Sequence, residues 1–489
     1  MFRIIVFIVT LFLLSGGAIA QEEITKLTLN QTIEIARSQS PDALMAKHKF
    51  RASYWRYRSM KASYLPSLLL TGKIPSYAES IYKIRTPEGD VFSSIYNNNL
   101  SAALSLNQKI GLTGGDISLN SDLSWLNDLA KDSSSFSSSI LNISYRQPLF
   151  QTNHYRWQRT IEPMFYEEAK KVYIEDMEQV SVEATNLFFN LLLAQINEKI
   201  ALINEANYDT LYKIALGRFN LGKIAENDLL QLELQYLRAG STVSDIDIEV
   251  ENQLFQFKSF LRIKDAAKIE LIIPDGINPF KVIAEKAVDE AKKNNSKSLS
   301  FNRQLIEAQY QLAQAKFDDR LDVDIFAVYG ISNYAEYFAD LKTKPLDQQI
   351  FEVGISMPIY DWGVARGKIK MAESNQEIVR TTVEQDQIDF DQEVFLRVAR
   401  FNMQYDQVKI AAKADTVAQK GYDITKARYL IGKISITDLN IAQTEADNSK
   451  SNYINSLYVY WRSYYDLRRL TLYDFEHNIP IMVDYKELL

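Results

Sequence analysis

The chain has 489 residues, 46% of them hydrophobic, which supports a large buried core and excludes a disordered chain. Lys plus Arg number 55 and Asp plus Glu 62, a net charge of −7 with no basic run, so nothing favours a nucleic-acid partner. Cysteine is absent, which excludes disulfides, thiolate metal sites, a cysteine nucleophile and a lipid-acceptor cysteine.

Residues 1–20 read as a secretory signal peptide: Arg3 in a positive leader, an apolar stretch from Ile4 to Leu14, and Ala18-Ile19-Ala20 before Gln21. The apolar stretch falls short of the roughly 20 residues that span a bilayer, so cleavage before Gln21 is expected, with an uncleaved anchor as the alternative. No later run of 18 apolar residues occurs. The exported chain is therefore soluble in the periplasm, secreted, or inserted as a barrel.

A helix is expected from about Leu29 to Tyr64, and then strands. Leu100, Leu104 and Leu106 alternate with small polar residues, as do Ile117, Leu119, Leu123 and Trp125, and then Leu141, Ile143 and Tyr145. Such segments suit membrane barrel strands, and they equally suit a half-buried sheet of a soluble protein. The signal peptide and the lack of a membrane helix favour the barrel.

Residues 164–216 and 368–420 contain neither Gly nor Pro, predicting two helical rods of about 80 Å at 1.5 Å per residue. Val180, Ala184, Leu187, Leu191 and Ala194 form an apolar stripe on the first; Phe390, Val394, Val398 and Phe401 do so on the second. Each rod ends near a glycine, Gly222 or Gly432, where a left-handed residue closes a helix, and a second helix starts at once. Ser435 is a candidate N-cap, with Asp438 three residues on. Between these hairpins, residues 269–276 predict a short strand and turn, and Ala284 to Phe317 a counterpart of the first helix. Phe351, Val353, Ile355 and Met357 alternate like the earlier strands.

The two halves repeat. Arg218-Phe219-Asn220-Leu221-Gly222-Lys223-Ile224 matches Arg428-Tyr429-Leu430-Ile431-Gly432-Lys433-Ile434, an offset of 210. Asp228-Leu229 matches Asp438-Leu439, and Gln147-Pro148-Leu149-Phe150 matches Met357-Pro358-Ile359-Tyr360, at the same offset. The expected fold is mainly α with β and internally duplicated. The first repeat covers 21–273, with strands about 65–148 and a hairpin 151–262. The second covers 274–489, with strands about 321–358, a hairpin 362–473 and a C-terminal tail.

This order, with Leu27-Thr28-Leu29-Asn30-Gln31-Thr32-Ile33-Glu34-Ile35-Ala36, Ser40-Pro41-Asp42, Leu65-Pro66-Ser67-Leu68 and Pro358-Ile359-Tyr360-Asp361-Trp362-Gly363, resembles the TolC-like outer-membrane efflux protein family. The resemblance implies a homotrimer in the outer membrane with one shared β-barrel and one α-helical tunnel in the periplasm. It implies a duct for efflux or secretion, working with a periplasmic adaptor and an inner-membrane pump, and neither enzyme activity nor cofactor. It also implies an adaptor-docking tip at Gly222, Lys223, Gly432 and Lys433, and gate contacts at Asp228 and Tyr429. Asp438 falls on a carboxylate-ring position; the acid that can follow one turn later is Ile441 here. Asp228 and Asp438 equally read as helix-start acids that complement the helix dipole.

Two departures from the family stand out. Its basic barrel uses two strands per repeat, whereas the surplus here around Gly114-Gly115 either widens the barrel or forms an outer hairpin. Pro163 has no second-copy match, its counterpart being Glu373, so a kink is expected there. His48, His154 and His477 show no metal-ligand spacing, Asp318-Asp319 reads as solvated, and no catalytic constellation is present. A periplasmic coiled-coil adaptor or scaffold would have the hairpins without the strands. A soluble exported enzyme with a helical insertion would need a site that the sequence lacks.

Overall fold

The computed structural model describes residues 25–87, 89–264, 269–274, 276–317 and 321–489. The signal peptide, its cleavage point before Gln21, Asp275 of the expected turn and Asp318-Asp319 lie outside the described residues. Eight helices carry the architecture of this part: α1 Leu29–Gln39, α2 Pro41–Ala62, α3 His154–Asn220, α4 Glu226–Leu261, α5 Ala284–Asn294, α6 Ser296–Phe317, α7 Val364–Leu430 and α8 Ile436–Thr471.

Their lengths match in pairs: α3 and α7 have 67 residues each, α4 and α8 36, α2 and α6 22, α1 and α5 11. The long helices exceed the expected rods, reaching about 100 Å at 1.5 Å per residue, because α3 continues through Pro163 and α7 through Gly367 and Gly421.

The single helix expected over Leu29 to Tyr64 is two, and so is its counterpart over Ala284 to Phe317. Ser40 is extended (φ −62°, ψ 152°), as steric pressure from the ring of Pro41 demands. Its hydroxyl then accepts the Ala43 N–H at 3.1 Å and caps the next helix. Asn295 has the same backbone (φ −74°, ψ 148°) without a proline, and its amide donates to the Leu470 carbonyl at 2.8 Å.

The chain forms two compact units. The first takes the described part of Met1–Lys49 with Lys171–Asn295 and Phe390–Leu489. Its core includes Phe188, Phe189, Leu191, Phe257, Val394, Val398 and Phe401, all buried. Strand β1 (Thr25–Leu27) pairs in parallel with β6 (Ile269–Leu271), and the Gln195 side chain binds both Ile269 O (2.7 Å) and Leu271 N (3.1 Å). Glu178 on α3 is fully buried between Arg37 of α1 (2.9 Å) and Arg468 of α8 (3.0 Å). Arg468 also reaches Asp474 (2.7 Å), fastening the short C-terminal hairpin of β9 (Tyr473–Asp474) and β10 (Ile479–Pro480). Burial alone would lower the Arg468 pKa, but Glu178 and Tyr464 hold it above its ordinary value.

The second unit, Phe50–Lys170 with Ser296–Asp389, contains the large sheet. Strands β2 (Ser67–Thr86), β3 (Gly89–Ile110), β4 (Gly115–Asp128), β5 (Ser133–Leu149), β7 (Asp322–Ala335) and β8 (Leu346–Ser356) follow one another in that order, all antiparallel. The surplus around Gly114-Gly115 is thus part of this sheet, because β4 pairs with β3 on one side and β5 on the other. Among its helices, Phe165 lies between the guanidinium groups of Arg56 (4.5 Å) and Arg303 (4.2 Å), which bind Glu162 (2.7 Å) and Glu168 (2.7 Å).

Candidate functional site

Two features of the structure invite a functional reading: the paired helical tips and the two-faced sheet. At the tips, Gly222 (φ 69°) and Gly432 (φ 74°) are left-handed, and nothing lies near a built Cβ at either, so conformation rather than space calls for glycine. Lys223 N donates to Arg218 O (2.9 Å) and Gly222 N to Phe219 O (2.8 Å). Lys433 N to Arg428 O (3.0 Å) and Gly432 N to Tyr429 O (2.8 Å) repeat the pattern. These are paired Schellman closures, which satisfy the last carbonyls of α3 and α7. Lys223 and Lys433 are exposed just beyond them.

The restarts differ. In the second tip, Ser435 Oγ accepts from Asp438 N (3.1 Å) while the Asp438 carboxylate accepts from Ser435 N (3.2 Å) and Oγ (2.8 Å). Asp438 therefore serves a reciprocal capping box, the helix-start role weighed for it from the sequence. In the first tip the N-cap is Ala225, which makes no side-chain bond, so half-buried Asp228 has no such duty.

Asp228 and Tyr429 come into electrostatic range without a hydrogen bond between them among the described residues. Burial raises the Tyr429 phenol pKa, the Arg218 guanidinium lowers it, and Asp228 raises it again. Arg218 is a tip residue to which the sequence alone assigns no role. Its Nη2 donates to Leu430 O at 2.6 Å, so the end of α3 caps the end of α7. The signal lay in the repeat itself, where Arg218 and Arg428 share a motif position.

Behind the tips the apolar seam holds Leu211, Ala215, Leu229, Leu232, Ile436 and Leu439, with Tyr429 packed against it. A polar layer follows. Tyr208 donates to Asn440 (3.1 Å), Lys426 to Asn207 (2.7 Å) and Asn204 to Asp447 (2.7 Å), while Gln443 binds Asn204. Burial holds the Asp447 carboxyl above its ordinary value, against the pull of Asn204 and Gln443. Ile441 is exposed.

The sheet has a chemically distinct surface on each side. From the register, Leu68, Leu70, Leu104, Leu106, Ile117 and Leu119 share one face with Ile143, Tyr145, Val353 and Ile355. Ser105, Asn107, Ser118, Asn120, Asn142 and Ser144 share the other. Aromatic rings bracket the apolar face: Trp125, Phe136 and Phe338 form one chain of contacts (6.5 and 5.7 Å), while Tyr360 and Trp362 lie exposed past β8. Aromatic rings flanking an apolar band fit an outer-membrane strand set. His48 and His154 are exposed, and no cluster of metal-ligating side chains occurs among the described residues.

The comparisons with known proteins agree with this chemistry. Residues 288–471 match the family model described as outer membrane efflux protein. The resemblance read from the sequence is supported over this part of the chain, which is similar to the outer membrane efflux proteins. The chain is 23% identical over 305 residues to outer membrane protein TolC of Escherichia coli strain K12, and 22% over 302 residues to that of Salmonella enteritidis. Each match covers 59% of this chain and about three fifths of the relative, 60%. Among solved structures, the Campylobacter jejuni CmeC outer membrane channel superimposes with a TM-score of 0.66 at 16% identity, covering 94% of this chain and 88% of that one. VceC from Vibrio cholerae gives 0.62 at 14% identity, covering 93% and 97%. At such identities the structures establish a shared fold.

Proposed function

We propose that the chain is the outer-membrane exit duct of an efflux or secretion system, acting as a homotrimer with a periplasmic adaptor and an inner-membrane pump. The observation that carries this reading is a sheet with one apolar face and two open edges, borne on a chain with paired long helical hairpins. In lipid an open edge leaves backbone groups unsatisfied, at several kcal/mol each, so copies must close the sheet. The hairpins ask for copies too. On α7, Met403, Ile410, Val417 and Ile424 are exposed at intervals of seven, each 57–62% accessible. On α4, Leu230, Leu234, Leu237, Ile248 and Phe255 are exposed at spacings drawn from the same heptad. Stripes of this period seek a partner helix.

The equal helix lengths and the 210-residue offset support an origin in two copies of one unit, 21–273 and 274–489. In this reading Gly222, Lys223, Gly432 and Lys433 face the adaptor, and Asp228, Tyr429 and Arg218 hold the hairpins in a resting gate. Asp438 is a helix cap first, and its three copies would add negative charge near the bore. The adaptor or scaffold alternative calls for hairpins without a two-faced sheet, and the six strands weigh against it. Mass measurement in mild detergent should return a trimer from outer-membrane fractions, and deletion of the gene should abolish export. A monomer only, or a chain found solely in the soluble periplasmic fraction, would overturn the proposal.

A further inference from the structure

Resting on that reading, we propose that β3 and β4 are wall strands of the shared barrel, so that three copies close eighteen strands around a wide, water-filled, polar bore that passes bulky hydrophilic cargo. Three observations carry this. First, β4 is paired along its whole length, from Ile110↔Gly115 to Asn97↔Asp128 with β3 and from Asp116↔Arg146 to Asp128↔Ser133 with β5. An outer hairpin would leave one of these edges unpaired.

Second, the turn between β3 and β4 is fastened to the base of the sheet. Asn153, which caps α3 through Arg156 N (3.0 Å), donates to Gly111 O (3.1 Å) and Leu112 O (3.0 Å). Gln147 donates to Thr113 O (2.9 Å), and Tyr155 to Asp116 (2.9 Å). The glycines make this seat possible: a Cβ on Gly114 would meet Asn153 at 3.3 Å, and one on Gly115 would meet Arg146 O at 2.7 Å.

Third, the polar face runs unbroken across the added strands. Ser124 binds Asn99 on β3 (2.9 Å), Asn120 reaches Ser144 on β5 (3.4 Å), and Asn142 binds Gln348 on β8 (3.1 Å). The Asn142 amide crosses β7 where Gly330 stands, and a Cβ there would lie 2.6 Å from its Cγ. Hydroxyls and amides predominate; the same face carries Lys109, Asp116, Asp122 and Glu352, and the Arg146 and Asp324 charges pair at 3.1 Å.

The sheet's edges are β2 and β8, which run in opposite directions, so a second copy continues the antiparallel order without a break. Three copies of a six-stranded sheet make eighteen strands. Barrel diameter grows with strand number, and about 16–18 strands leave an aqueous channel rather than a packed interior.

Because the chain has no cysteine, introduced pairs report cleanly. Thr71→Cys is combined in turn with Gln348→Cys, Ile350→Cys, Glu352→Cys and Gly354→Cys, and the purified full chain is oxidised. At least one pair should give covalent trimers that survive boiling in dodecyl sulfate. Absence of cross-links in every pair, while native mass still shows a trimer, overturns the eighteen-strand barrel and spares the trimeric duct; a monomer by native mass overturns both. Separately, Ser105→Cys and Asn120→Cys should react with a bulky water-soluble maleimide in intact outer membranes, while Leu104→Cys and Leu119→Cys stay unlabelled. Protection of Ser105→Cys and Asn120→Cys, or the reverse pattern, overturns the proposal.

Discussion

At Ala225 and Ser435, one atom distinguishes the two tips. The Ser435 hydroxyl satisfies an orphan N–H of α8 and engages Asp438, whereas Ala225 leaves α4 uncapped. Ser435→Ala should therefore cost about 0.5–2 kcal/mol, and Ala225→Ser should gain a similar amount by recruiting Asp228 into a new box. Thermal unfolding of the two variants, measured side by side, checks both signs. Recruiting Asp228 should also take it from Tyr429. If Asp228 and Tyr429 help hold a resting gate, Asp228→Ala with Tyr429→Phe should raise single-channel conductance in planar bilayers, and parental conductance would remove them from the gate.

Asp447 offers a test by pH. Burial holds its folded pKa above the ordinary 3.8, so the folded chain binds this proton more tightly than the unfolded chain. Its contribution is fully present below 3.8 and is lost as the pH rises through the folded value. Asp447→Asn, which keeps an acceptor for Asn204, should flatten that loss and melt higher than the parent at neutral pH. An unchanged pH profile of melting temperature would mean that solvent already relieves the carboxylate.

At the scale of elements, Glu178 holds three of them. It brings α1 and α8 to α3 through Arg37 and Arg468, and through Arg468 the C-terminal hairpin. Glu178→Ala would take the shared carboxylate from Arg37 and leave the largely buried Arg468 with Asp474 alone, and should cost about 3–5 kcal/mol. Arg37→Ala alone should cost less, because its side chain is 29% exposed and Arg468 remains with Glu178. Denaturant midpoints for both variants test the order; equal losses would show that Glu178 acts through packing alone.

For the whole molecule, the exposed heptad rows make a prediction about assembly. Ile410→Glu with Ile424→Glu places two charges in the α7 row without touching the buried seam of Val394, Val398 and Phe401. The chain should fold and the proposed trimer should weaken, with the proposed export falling in step. Native mass beside circular dichroism separates the two effects. A trimer as stable as the parent's would show that the row faces solvent or an adaptor instead.

Much of this protein is written in near neighbours along its chain. Gly-free and Pro-free runs with helical apolar stripes determine α3 and α7, because a helix depends on residues three and four apart. Gly222 and Gly432 mark the turns because only a residue without Cβ takes positive φ freely. Alternation marks the strands, whose faces repeat every second residue. What only the tertiary structure decided are pairings between distant residues. Glu178 finds Arg37 across 141 positions and Arg468 across 290. Strand β1 finds β6, β4 finds its place between β3 and β5, and Asn295 breaks a helix with no proline to announce it. Arg218 likewise lies in a visible repeat, yet its bond to Leu430 O exists only because two helix ends meet. Local periodicity states which face of an element is apolar; which face it meets depends on the burial and hydrogen bonding of the folded chain.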